Sequence, residues 1–195
     1  VGGNRLAVID RSQFKGDRYA LLISGGASMG SNYIRYWNDI AFIYRALVNY
    51  YGYSESEIVV CMSDGDNPAN DRNRWPHSGY DSSPLDLDGD SDDDYSLDAT
   101  YATVTGELQN LVDNVTADDF VFIFTTDHGG SSGGQNVYLN LWNGQTLPDD
   151  VFAGYIDNLP DGATKVITME QCYSGGFIDD LNGIPNTIIS TACAY

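Results

Sequence analysis

Residues 19–24 (Tyr-Ala-Leu-Leu-Ile-Ser) form a short apolar run that stops at Gly25-Gly26. A run of that length with no polar face predicts a strand buried on both sides, as in a parallel sheet. From Trp37 the pattern turns helical. Ile40, Ile43, Tyr44, Leu47, Val48 and Tyr51 recur at three- and four-residue steps, and Gly52 supplies the stop. Further strands are predicted at 58–62, 120–124, 165–169 and 186–192, and further helices at 103–115 and 148–159. Residues 136–142 read as a small hairpin arm, and 1–17 as an N-terminal strap without a clear period. The polar stretch 63–98, punctuated by Pro68, Pro76 and Pro84, is predicted to be a long loop. A loop of that length inside a compact domain is commonly functional.

Strands that alternate with helices imply right-handed crossovers. The expected fold is therefore α/β, a three-layer α/β/α sandwich around a mostly parallel sheet. Ligand sites of such sheets lie just beyond the carboxyl ends of the strands. That rule singles out the loops around 24–35, 127–130 and 170–175.

A length of 195 residues with 42% hydrophobic content suits one globular domain. No apolar run approaches the roughly 20 residues that span a bilayer. The chain begins at Val1 rather than methionine, which reads as a mature or trimmed product. Its formal charge of −19 disfavours nucleic acid and anionic membrane surfaces as partners. Three cysteines cannot make a full disulfide framework. Cys61 and Cys193 lie in strand patterns and read as small apolar residues, bridged only if those strands are neighbours.

Cys172 differs, because it follows a predicted strand and precedes Tyr173-Ser174-Gly175-Gly176. His128 stands in the matching place after another strand, before Gly129-Gly130, while the second histidine, His77, lies in a polar loop. A thiol becomes a good nucleophile when a histidine takes its proton or stabilises the thiolate. The same imidazole can then protonate a departing amine. The N–H groups of Gly129 and Cys172 are the candidates to hold a developing oxyanion. A third glycine-rich stretch, 25–30, matches a dinucleotide loop only imperfectly and no helix follows at once, so it is set aside.

Residues 120–129, ending Thr125-Thr126-Asp127-His128-Gly129, resemble the histidine strand of the legumain-like cysteine peptidases, which share the caspase-like fold. Glu170-Gln171-Cys172-Tyr173-Ser174-Gly175 is similar to the cysteine motif of that family, and the order of elements over 19–64 is similar too. The resemblance implies a caspase-like fold with His128 and Cys172 as the catalytic dyad. It implies an endopeptidase acting after Asn or Asp through an acyl-enzyme. Arg35, four residues before Asp39, matches an arginine of the family's P1 pocket, and Glu170 matches an acid of the pocket wall. A guanidinium that donates and a carboxylate that accepts would suit an asparagine or aspartate side chain. Asn32 matches, with one residue inserted, an asparagine that orients the histidine. The family draws more of its pocket from beyond the fifth strand, so a further C-terminal segment of the same precursor is an expected partner beside the peptide substrate. Two other readings stay open: a transamidase with the same dyad, and a non-catalytic calcium-binding interaction domain.

The loop holds carboxylates at alternate positions, Asp86, Asp88, Asp90, Asp92 and Asp94. Hard cations such as calcium take six to eight oxygens, which a turning loop of aspartates can supply. Counted from Asp86, an EF-hand would need glycine and glutamate where Ser91 and Leu97 stand, so this is a non-standard calcium site. Calcium is the one cofactor expected, and none is needed for the chemistry. Such a loop on an acidic surface points to an extracellular or cell-surface location.

Overall fold

The computed structural model describes residues 15–133 and 136–194; of the strap expected over 1–17, residues 1–14 lie outside the described residues. The strands and helices, in chain order, begin β1 (Arg18–Ser24), α1 (Ile34–Asn49), β2 (Ile58–Met62), β3 (Arg72–Asn73), β4 (Tyr80–Asp81) and α2 (Tyr101–Asn114). They continue β5 (Phe120–Thr126), β6 (Gly129–Gly133), β7 (Asn136–Asn140), β8 (Thr146–Pro148), α3 (Asp149–Asp157), β9 (Thr164–Met169), α4 (Phe177–Leu181) and β10 (Thr187–Thr191).

The five predicted strands form one sheet in the order β10-β9-β5-β1-β2, and every neighbouring pair is parallel. Alternation along β1 explains why its sequence is apolar throughout. Ala20 and Leu22 pack with Ile40, Ala41, Tyr44 and Leu47 of α1. Leu21 and Ile23 face the other way, with Val104 and Leu108 of α2 and Phe152 and Ile156 of α3. Helices thus cover both faces, which gives the expected three-layer sandwich.

Element ends follow local chemistry. Gly52, at φ 65°, closes α1 as its position predicted. Helix α2 starts two residues earlier than its apolar period, because the Thr100 side chain accepts a hydrogen bond from the Thr103 N–H as an N-cap. The hairpin arm is larger than expected: β6, β7 and β8 form a three-stranded antiparallel sheet that starts directly after His128.

The 63–98 loop is a packed cover. Leu87 and Tyr95 bury their side chains in the α1 cluster. Arg72 grips Asp81 through two hydrogen bonds of 3.0 Å, and buried Asp71 accepts from both the N–H and the hydroxyl of Ser83. Two apolar anchors in a polar run carry little periodicity, which is why the pattern shows only a loop. A Cys61–Cys193 bridge is excluded, since β2 and β10 are opposite edges of the sheet and all three thiols are free.

Candidate active site

Chain order reverses between β1 and β5: β2 lies beyond β1 on one side, and β9 beyond β5 on the other. Loops leaving the carboxyl ends of β1 and β5 therefore diverge and open a crevice. His128 follows β5 by two residues, and Cys172 follows β9 by three; these strands are paired through Thr125 and Met169. The two strand ends touch, since a Cβ on Gly129 would overlap the carbonyl oxygen of Cys172. Asp127 (φ 94°) and Tyr173 (φ 62°) flank the pair in left-handed backbone. Such strained non-glycine residues cluster at functional sites.

The imidazole has a defined setting. Its Nε2 lies 3.2 Å from the carbonyl oxygen of Ser31, in the loop after β1. A carbonyl can only accept, so Nε2 carries the proton and donates it there, leaving Nδ1 for chemistry. The Tyr36 hydroxyl stands 3.5 Å from the same Nε2. The rings of Tyr36 and Tyr33 meet the imidazole edge-on, at centroid distances of 5.3 and 6.0 Å. Behind it, the Asp127 carboxylate accepts the His128 backbone N–H at 2.7 Å and a hydrogen bond from Ser24. Burial pushes Asp127 up to about 7, against hydrogen bonds from His128, Gly26 and Ser24 that lower it.

Cys172 is exposed at the mouth of the crevice. Its N–H makes no hydrogen bond among the described residues. For Gly129 the ladder decides the direction. Asn140 N–H donates to the His128 carbonyl at 2.9 Å, so 128 and 140 form a hydrogen-bonded pair. The next pair, Gly129–Leu139, is then a non-bonded one, and the Gly129 N–H turns away from β7. The loop beneath Cys172 is pinned from both sides. Buried Gln171 accepts from Thr125 at 2.7 Å, and the Cys193 thiol donates to the Gln171 carbonyl at 3.3 Å.

Arg35 and Glu170 do not pair. The Arg35 guanidinium lies over the rings of Tyr33 and Tyr36, at 4.5 and 4.6 Å, and donates to the Tyr36 hydroxyl at 2.7 Å. Glu170, on the exposed side of the crevice, is pushed up by burial and by the charge of Asp39. Asp39, held by Thr126 at 3.3 Å, is itself raised by burial, with Arg35 pulling the other way. Asn32 does not orient the histidine through its side chain, which donates to Ser63 and Asp71. Its neighbour Ser31 supplies the contact, through a carbonyl that any residue type would carry, so composition gave no signal for it. Tyr36 was missed, because the helical period reads only from Trp37; its signal was its place four residues before Ile40 on the buried face of α1, beside Arg35. His77 is exposed, as expected.

In the acidic loop, oxygens of Asp86, Asp88 and Asp94 converge within 4.8 Å of one another, and those of Glu55, Asp88 and Asp90 do the same. Asp92 belongs to neither group; its N–H donates to Asp90. The chain turns around Asp86, whose carboxylate accepts the Gly89 and Ser91 N–H groups. Tyr44 of α1 is buried, and burial together with neighbouring Asp94 pushes its phenol up.

A parallel α/β sandwich that sets a thiol and an imidazole at adjacent strand ends is an arrangement suited to nucleophilic thiol chemistry. The fold is shared with a solved structure, protein GSU0716 from Geobacter sulfurreducens, at a TM-score of 0.51 and 14% identity over 82% of this chain and 52% of that one. The model of the Peptidase C13 family matches residues 18–195, and the chain belongs to that family. Among curated proteins it is similar to Metacaspase-4 and Metacaspase-7 of Arabidopsis thaliana, 22% and 21% identical over 152 residues. Those stretches cover 73% of this chain but only 30% and 31% of the relatives, so the chain spans about a third of their length.

Proposed function

We propose that the chain is a legumain-like endopeptidase that hydrolyses peptide bonds after Asn or Asp through an acyl-enzyme on Cys172. The observation that carries this reading is the setting of His128. With Nε2–H committed to the Ser31 carbonyl, Nδ1 is the base that removes the Cys172 proton. The sulfur then bonds to the scissile carbonyl carbon, while the Gly129 and Cys172 N–H groups hold the oxyanion. Collapse of that intermediate breaks the C–N bond, and Nδ1–H gives its proton to the leaving amine. Water, activated by the same nitrogen, releases the acyl group and restores the thiol.

For the pocket, Arg35 would donate to a side-chain carbonyl at P1 and Glu170 would accept from an amide N–H. Asp39 beside Glu170 supports a second reading, since two carboxylates and one guanidinium also accommodate a basic P1 residue. A peptide library profiled with wild type and Cys172→Ala separates them. Cleavage after Asn that vanishes in the variant is expected. Dominant cleavage after Arg or Lys would overturn the preference, and activity surviving in Cys172→Ala would overturn the mechanism. Because Glu170 and Asp39 are both raised, they neutralise early as pH falls. Cleavage after Asp should therefore gain on cleavage after Asn under acid conditions.

We also propose that the acidic loop takes calcium, with Asp86, Asp88 and Asp94 as its centre and Asp90 and Glu55 at its edge. An unshielded set of converging carboxylates repels itself; burial and the charges of Asp94, Asp90 and Asp86 already push Asp88 up. Extracellular calcium modules bind at roughly 0.1–1 mM, which fits an extracellular or cell-surface setting.

A further inference from the structure

We propose that Tyr36 is a positioning residue for the dyad: its hydroxyl sets the proton balance of His128, and its ring sets the imidazole plane. This rests on the His128–Cys172 reading above and concerns a residue outside the dyad. The side chain is 7% exposed, anchored in the first turn of α1. Its oxygen lies between two donors, Arg35 at 2.7 Å and His128 Nε2 at 3.5 Å. Its ring meets the imidazole at 71° with centroids 5.3 Å apart. The Tyr33 ring also meets both the imidazole and the Arg35 guanidinium, but among the described residues no other side chain hydrogen-bonds to both.

The chemistry follows from that bridging place. When Nδ1 takes the thiol proton, the imidazole becomes a cation, and a second acceptor beside Nε2–H favours that form. The Ser31 carbonyl is the first acceptor, and the phenol oxygen is the second. Burial raises the phenol, so it stays a neutral acceptor at working pH. The hydroxyl also occupies Arg35. Without it, the guanidinium would face the imidazolium with no intervening acceptor, and like charges disfavour each other. The other charged groups around the ring are Asp127, whose Oδ1 lies 3.8 Å from Nε2, and Cys172, which acts electrostatically on Tyr36 itself.

Tyr36→Phe deletes the oxygen and keeps the ring, so it isolates the first role; Tyr36→Ala removes both. The readout is the pH dependence of Cys172 alkylation by iodoacetamide, located by peptide mass because Cys193 is also exposed. The expected result is an upward shift of the alkylation midpoint in Tyr36→Phe. On the best peptide, kcat should fall about tenfold with KM within about twofold. Tyr36→Ala should lose more. Unfolded chain would be alkylated with an ordinary thiol midpoint. The midpoints are therefore compared where circular dichroism shows wild type and Tyr36→Phe equally folded, and Tyr36→Phe, which keeps the ring, is the deciding variant. Tyr36→Phe with the wild-type midpoint and kcat would overturn the proposal. Because alkylation needs no peptide substrate, this outcome is distinct from failure of the peptidase reading, which Cys172→Ala tests alone.

Discussion

At Gly129 the end of β5 meets the Cys172 loop so closely that a methyl group would overlap the Cys172 carbonyl oxygen and crowd the Gln171 side chain. Small size is required there because the two backbones come into contact. Gly129→Ala should push the strand ends apart and, on the proposed mechanism, displace one oxyanion donor. The expected loss in kcat/KM is about 100-fold or more, with an overpacking cost of about 1–3 kcal/mol. Steady-state kinetics and denaturant melts on the variant check both, and activity within a few-fold of wild type would remove Gly129 from the site. At this scale the sequence was informative where residue type matters. His128, Cys172 and the glycine were legible as types placed after strands. The Ser31 carbonyl was not, because backbone chemistry leaves no mark in composition. Arg35 and Glu170 were singled out by resemblance; packing sets Arg35 against Tyr33 and Tyr36 and leaves Glu170 near the like charge of Asp39, which spacing does not reveal.

Among the elements, the five strands and α1 were legible because a central parallel strand is apolar on both faces and a covering helix is apolar on one. The 63–98 cover was not, since Leu87, Tyr95 and a few paired polar groups hold it without a repeating pattern. That element carries its own prediction. If the carboxylates of Asp86, Asp88 and Asp94 close on calcium, the ion stabilises the folded chain in proportion to its occupancy. At 100 times the dissociation constant the gain is about 2.7 kcal/mol. A melting temperature that rises with calcium over chelator, and does so less in Asp88→Asn, is the expected result. No shift in the wild type would leave the loop as a solvated turn.

For the whole molecule, pH divides the carboxylates into two sets. Asp127, at about 7, and Asp64, at about 6, are raised chiefly by burial and hold protons more tightly when folded. Their contribution is full below the ordinary carboxylate range near 4 and is lost as pH rises through 6 and 7. Glu57, Asp81 and Asp98 are lowered by hydrogen bonds, including those Arg18 gives Glu57 and Arg72 gives Asp81. Their contribution is present above about 4 and is lost as pH falls further. A net charge of −19 adds self-repulsion at the alkaline end. Stability should therefore peak on the mildly acid side and decline from pH 5 to 7.5, with a shallower decline in Asp127→Asn. Thermal melts across that range decide it, and a melting temperature that climbs from 5 to 7.5 would contradict the assignment. One feature ties the halves of the molecule together. Helix α1 meets His128 at Tyr36 and feels the charge of the acidic turn at Tyr44, eight residues or about 12 Å further along a stiff rod. Should a cation bound at the acidic turn change binding in the cleft, linkage makes that effect equal in both directions. Whatever a cation at the far end does for the imidazole, a molecule seated in the cleft does for the grip on the cation.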